Sequence, residues 1–324
     1  MIQTAEIHEL VAPELKEMEA KMRRVESDHN ELLRTAINCL VDAGGKRLRP
    51  LITLLATRFG APDRQKTIAL AAAVEMLHTA TLVHDDFIDN SLIRRGHPTL
   101  NASWSPGATV LTGDYMFARA SHFAAETENV RIIKIFSDTL MIIVNGELQQ
   151  FFNNGHTAPP SREEYFQRIY AKTASLFATA AESGAILAAL PEAHIRALHD
   201  YGYHLGMAFQ IVDDILDFQG DEARLGKPVA NDLRQGIATL PVLIFLDSHP
   251  EHPAILKAVA RKHPTDAEIR QVVAEIRTSG SIQEAMTEAR RFARQAREAL
   301  SPLPDNRYRQ ALAGIAEYAV ARDI

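Results

Sequence analysis

The chain has 324 residues, 46% hydrophobic and 23% charged, so it can bury a sizeable core and is not broadly disordered. Its formal net charge of -6 argues against a dedicated nucleic-acid binder, which carries a basic field. The single cysteine, Cys39, excludes an intrachain disulfide and a multi-cysteine metal site.

No motif surrounds Cys39, which reads as a small buried hydrophobe. The first sixteen residues carry no signal-peptide pattern. Glu75, Lys172 and Glu182 interrupt the apolar runs before any reaches the ~18 residues of a spanning helix. The expectation is a soluble, cytoplasmic protein with no nucleic-acid partner.

Alanine, a good helix former, takes roughly one position in seven. Glycine (16) and proline (15) gather in short patches. Between the patches apolar residues recur at three and four, not at two, which is helical periodicity. The fold class expected is all-α. No composition shift marks a domain boundary.

In chain order, Val41 to Pro50 (VDAGGKRLRP) reads as a helix end followed by a new start. The glycines stop one helix, and Pro50 suits the first turn of the next. Lys46, Arg47 and Arg49 crowd that loop, a set able to bring charged and backbone donors onto one phosphate group. Ile68 to Leu82 is helical, with Leu70, Val74, Leu77 and Thr81 on one stripe and Ala69, Ala73, Met76 and Ala80 on another.

The same stretch runs into TATLVHDDFID, residues 79–89. Asp85 and Asp89 are four apart, so they share a helical face; Asp86 sits beside Asp85. Arg94 and Arg95 follow in a turn set by Gly96 and Pro98. Further on, Lys172 and Thr173 lie in an otherwise apolar helix, where a lone lysine is more often a snorkelling surface residue. A second aspartate element, FQIVDDILDF at 209–218, repeats the spacing with Asp213, Asp214 and Asp217. A glycine-bounded loop carrying Lys227 comes after it. Near the end, Arg290, Arg291, Arg294 and Arg297 read as a solvated helix face.

Two such motifs on core-like helices need compensation, since two unit charges at 4 Å repel by roughly 4 kcal/mol at an effective dielectric of 20. Oxygen-only ligands suit Mg²⁺, which takes one or two carboxylates plus substrate phosphates. The inference is two carboxylate walls holding Mg²⁺ between them, with a phosphorylated substrate completing the shells.

Taken together the stretches resemble the trans-polyprenyl diphosphate synthase family. The residues that carry the resemblance are GGKRLRP at 44–50, HTATLVHDDFID at 78–89, RRGHPT at 94–99, GDYMFARA at 113–120, GELQQ at 146–150, Lys172-Thr173, FQIVDDILDF at 209–218, and GKP followed by TLP within 226–241. The resemblance implies a single polyprenyl synthase domain over 1–324. Its helices would form an isoprenoid synthase-type bundle around a central cavity, usually in a homodimer. It also implies successive condensation of isopentenyl diphosphate onto an allylic diphosphate.

By the same resemblance Lys46, Arg49, His78 and Arg95 contact isopentenyl diphosphate. Asp85, Asp89, Asp213 and Asp217 serve the metal, about three Mg²⁺ per site by the family pattern. Arg94, Lys172, Thr173, Gln210 and Lys227 contact the allylic diphosphate. Asp86 and Asp214 join the catalytic set with Asp85, Asp89, Lys172 and Asp213. Two departures stand out: no lysine in residues 236–239, and Ala230 where glycine is common.

Product length in this family follows the bulk just before the first aspartate. Ala80 and Thr81 lie one turn below Asp85 and are small; Met76 and Leu77 form the next turn. The expectation is a product beyond farnesyl and geranylgeranyl length, with Met76, Met141, Ile142 or Ile143 as candidate floors. The alternatives are a short-chain synthase, a terpene cyclase, and a subunit of a heteromeric prenyltransferase. Transient membrane contact during product release stays open.

Overall fold

A computed structural model describes residues 4–24, 31–94, 96–153, 158–219 and 229–322. The described residues are almost wholly helical, as the periodicity predicts. Cα packing divides the chain into two compact units. The first comprises Met1–Thr139, Thr179–His199 and Pro302–Leu312; the second comprises Leu140–Ala178, Asp200–Ser301 and Ala313–Ile324.

The first unit holds α1 (Thr4–Glu9), α2 (Ala12–Arg23), α3 (Glu31–Asp42), α4 (Leu48–Thr57), α5 (Arg64–Ile88), α6 (Leu100–Ser103), α7 (Pro106–Ala125) and the start of α8 (Val130–Asn153). Asp63 starts α5 by accepting from the Lys66 amide. Every residue from Ile68 to Leu77 is buried, so both predicted stripes face neighbours. Over 18 residues α5 has the length and mean hydropathy (1.3) of a membrane span, but 78% of that window is buried inside the protein, which makes it a core helix. Gly113 lets α7 close onto α5, since a Cβ there would lie 2.2 Å from His84 Nε2.

Two short strands, β1 (Ile93–Arg94) and β2 (His97–Pro98), pair antiparallel. The sequence shows no alternation here because two residues are too few to display one. Cys39 is exposed, against expectation. The buried face of α3 is Ala36, Ile37 and Val41, and Cys39 falls off that stripe.

The second unit contains the rest of α8, then α9 (Arg162–Ile169), a π-helical turn (Tyr170–Ala174), and the start of α10 (Ser175–Leu187). Most of α11 (Glu192–Gln219) follows, with α12 (Asn231–Arg234), α13 (Leu240–Ser248), α14 (Pro253–Val259), α15 (Asp266–Thr278), α16 (Ser281–Ala299) and the end of α17 (Arg307–Ala321). Its core joins Tyr165, Ile211, Ile215, Phe218, Leu243, Val272 and Phe292. On α16, Arg290, Arg294 and Arg297 are exposed, which matches a solvated face.

Three glycines bring backbones together around the π turn. A Cβ on Gly146 would lie 2.6 Å from Ala171 Cβ, and one on Gly206 would lie 2.5 Å from Ala174 Cα. A Cβ on Gly202 would meet Phe177 O at 2.4 Å. Helices α8 and α11 therefore pack on this segment at distances no side chain allows.

Candidate active site

The last turn of α5 carries the first aspartate motif. Asp85 is half-buried and Asp89 is exposed. Asp86, expected among the catalytic carboxylates, is turned inward and buried, where Oδ1 accepts from Arg94 Nε at 2.8 Å. A residue one step along a helix rotates away from the i, i+4 face, which is why the middle aspartate differs from its neighbours. The β1–β2 hairpin presents Arg94, and Thr99 pins the hairpin by donating to Ser91 O at 2.7 Å.

The Gly44–Pro50 loop treats its three cations differently. Lys46 is exposed and Arg49 half-buried in the first turn of α4. Arg47 turns into the protein in a left-handed backbone conformation (φ 46°). Its Nη1 donates to Glu75 Oε1 at 2.6 Å, Nε to Glu19 at 3.0 Å and Nη2 to Val41 O at 2.8 Å. Burial opposes the guanidinium charge, but Glu75 and Glu19 more than offset it and raise the Arg47 pKa. Arg47 thus ties α2, α3 and α5 together.

A cavity of roughly 420 Å³ lies against α5, walled in part by Cys39, Arg47, Glu75, His78, Asp86 and Arg94. It brings His78 together with Asp86 and Arg94. Among the described residues Lys46 and Arg49 are not part of its wall, nor are Met76, Leu77, Ala80 and Thr81. Met76, Leu77 and Ala80 are packed inside; Thr81 is half-buried and donates to His78 O at 2.8 Å. Of the other floor candidates, Met141 is 62% exposed while Ile143 is buried.

The second motif sits on α11. Asp214 is buried and held from two sides: Tyr165 OH donates to Oδ2 at 2.7 Å and Gln210 Nε2 to Oδ1 at 2.8 Å. Thr173 Oγ1 donates to Gln210 Oε1 at 2.6 Å, which fixes the amide's orientation. Burial pushes Asp214 up to about 6, against the lowering effect of those two donors. The π turn delivers Thr173 to this network; such π-bulges are frequent at functional sites. Beside it, Lys172 Nζ pairs with Glu147 Oε1 at 2.8 Å.

Asp217 accepts from the Asn231 and Asp232 amides at 3.0 and 3.1 Å, so it caps the start of α12. Burial raises its pKa. Asp232 is pushed up to about 8 by burial and then by the Asp217 and Asp214 carboxylates. Asp213 keeps 40% of its side chain exposed, with Oδ1 accepting from Arg322 Nη1 at 2.7 Å. Arg95 and Lys227 lie outside the described residues.

Both motifs share one design: the outer two carboxylates stay at least partly exposed, and the middle one is buried holding a polar partner. A polyprenyl synthetase family model matches residues 30–276, more than half of the chain. The chain belongs to the polyprenyl synthetase family. This polyprenyl synthetase is 38% identical over 318 residues to "Heptaprenyl diphosphate synthase component 2" of Geobacillus stearothermophilus, covering 98% of each chain. It is 35% identical over 318 residues to "Octaprenyl diphosphate synthase" of Escherichia coli, again covering 98% of each. A solved decaprenyl diphosphate synthase from Rhodobacter capsulatus superposes with a TM-score of 0.91 at 36% identity, covering 99% of both chains.

In this family member the sequence brings out the carboxylates but misses their holders. Tyr165, Glu75 and Arg322 carry no local motif, and each is recognisable only by the partner it meets in space; Glu147 lies within the GELQQ stretch, but nothing there pairs it with Lys172.

Proposed function

We propose that the protein is a long-chain trans-polyprenyl diphosphate synthase that adds isopentenyl diphosphate successively to an allylic diphosphate. The matched build of the two aspartate motifs carries this reading. Asp85, Asp89, Asp213 and Asp217 offer oxygen alone, the donor set Mg²⁺ prefers. Among the described residues no three His, Cys, Asp or Glu side chains converge to hold a metal by themselves. Substrate diphosphate oxygens would therefore complete the shells of three Mg²⁺ ions, the number that the family resemblance implies. Bound magnesium supplies positive charge against the departing diphosphate.

The chain's own residues do the rest. Arg94, Lys172, Thr173, Gln210 and Lys227 bind the allylic diphosphate, while Lys46, Arg49, His78 and Arg95 hold isopentenyl diphosphate. Asp86 and Asp214 act one step back, holding Arg94 and Gln210 in place. Electrostatic neutralisation of the leaving diphosphate lets the allylic C–O bond ionise. The isopentenyl double bond attacks the carbocation, and a proton is lost to the released diphosphate. Ala80 and Thr81 are the small residues before the first aspartate that the family resemblance ties to a long product.

Two units in one catalytic domain is the organisation we infer, supported by a family match that runs through both. A homodimer is supported by the outer face of α8, where Val130, Met141, Val144, Leu148 and Phe151 are exposed at helical spacing. Cytoplasmic residence, with transient membrane contact at product release, fits a chain in which, among the described residues, the helix of spanning length and hydropathy is mostly buried in the core. The similarity to a protein named as component 2 makes a partner subunit the second reading.

The test incubates the purified chain with farnesyl diphosphate, labelled isopentenyl diphosphate and Mg²⁺, then sizes the product by chromatography. Products longer than geranylgeranyl are expected. A ladder ending at or below geranylgeranyl refutes the long-chain reading, and elongation only after a second subunit is added establishes the heteromeric one.

A further inference from the structure

Arg322 follows α17 and is 8% exposed. Burying a guanidinium is expensive unless every side of it is met. Here Nη1 donates to Asp213 Oδ1 at 2.7 Å, Nη2 to Phe209 O at 2.9 Å and Nε to Ala319 O at 3.1 Å. Its flat face lies 3.9 Å from the Phe209 ring centroid. Three of these contacts are with α11, 109 or more residues away in sequence.

The other two aspartates of the motif are held by neutral groups: Asp214 by a phenol and an amide, Asp217 by backbone amides. Asp213 has a full positive charge fixed at Oδ1, and its side chain is 40% exposed. We propose that Arg322 is a positioning residue, a resident counter-ion that fixes the direction of Asp213 and balances its charge before any metal arrives. This rests on the reading of Asp213 as a metal-side carboxylate. An incoming cation then takes over part of the charge balance that Arg322 supplies. Arg322 thereby opposes metal binding while keeping the site assembled without metal.

The experiment measures thermal unfolding of full-length wild type, Arg322→Gln, Arg322→Lys, Asp213→Asn and the Arg322→Gln/Asp213→Asn double variant. Each is measured without metal and with Mg²⁺ plus inorganic pyrophosphate. Without metal, Arg322→Gln melts lower than wild type and Arg322→Lys recovers part of the loss. The deficit shrinks when Mg²⁺ and pyrophosphate are present, and half-saturating Mg²⁺ falls ~3–10-fold because a like charge beside the incoming cation is gone. In the Asp213→Asn background, Arg322→Gln adds little.

Equal deficits with and without Mg²⁺, or additive losses in the double variant, overturn the proposal: Arg322 would then only tie α17 to α11. If Mg²⁺ and pyrophosphate fail to stabilise the wild type, the prenyltransferase reading falls instead. The metal-free coupling between Arg322 and Asp213 still decides whether Arg322 fixes that carboxylate.

Discussion

Replacing Tyr165 by Phe removes one hydroxyl from a fully buried ring and leaves the ring's packing in place. That hydroxyl donates to Asp214 Oδ2 at 2.7 Å, and Gln210 Nε2 donates to the other oxygen of this buried carboxylate at 2.8 Å. A hydrogen bond to a charged group is worth about 1.5–3 kcal/mol, and more of that is lost when the acceptor cannot reach water. Asp214 titrates at about 6, above the ordinary 3.8, because burial penalises its charge. Its stabilising contribution is therefore complete below the ordinary value and is lost as pH rises through about 6.

The tyrosine supports the charged form, so its removal pushes Asp214 higher still. The variant's deficit, read by urea unfolding, should be about 1.5–3 kcal/mol near pH ~7.5 and clearly smaller near pH ~5, where the acid is protonated in both proteins. Asp232, also raised, is present in both proteins and largely cancels in the difference. An equal deficit at the two pH values would refute the argument and leave Tyr165 as packing alone.

Gly206→Ala should lower the unfolding free energy by about 1–3 kcal/mol or more, because its Cβ would lie 2.5 Å from the Ala174 backbone; Gly107→Ala, with nothing within 4 Å, is the control that should melt like wild type. Arg47→Ala strands the buried Glu75 and should cost about 3–5 kcal/mol in denaturant unfolding, and a loss below ~1 kcal/mol would show the pair to be dispensable. Ala80→Phe should shorten the product chain on chromatographic sizing, and an unchanged length removes Ala80 from the tunnel wall. Asp85→Asn should reduce turnover by about 10²–10³-fold or more in a Mg²⁺-dependent assay, and near-normal rates would exclude it from charge stabilisation.

The helical class and the aspartate faces were legible because both follow from a 3.6-residue period acting within a few turns. The same period, applied to Ala36, Ile37 and Val41, separates Cys39 from the buried face of α3, but the usual burial of cysteine pointed the other way. Which of Lys46, Arg47 and Arg49 turns inward depends on Glu75, a residue 28 positions from Arg47 that no local rule selects. The π turn at 170–174 is similarly invisible, since it arises where glycines on α8 and α11 press against it. Arg322 and Asp213 are 109 residues apart, and only the folded chain brings them within hydrogen-bonding distance.

The burial of α5 bears on how the first carboxylate pair can move. A helix buried along most of its length exchanges its amide hydrogens only when the surrounding core opens, so residues 68–80 belong among the last protons to exchange. Asp85 rides little more than one turn beyond that slow segment, and Asp89 closes the helix by donating its amide to Asp85 O at 2.8 Å. Force applied at these carboxylates is therefore borne by a buried core helix. Opening this end of the site would have to come from the hairpin at 93–98 rather than from the helix.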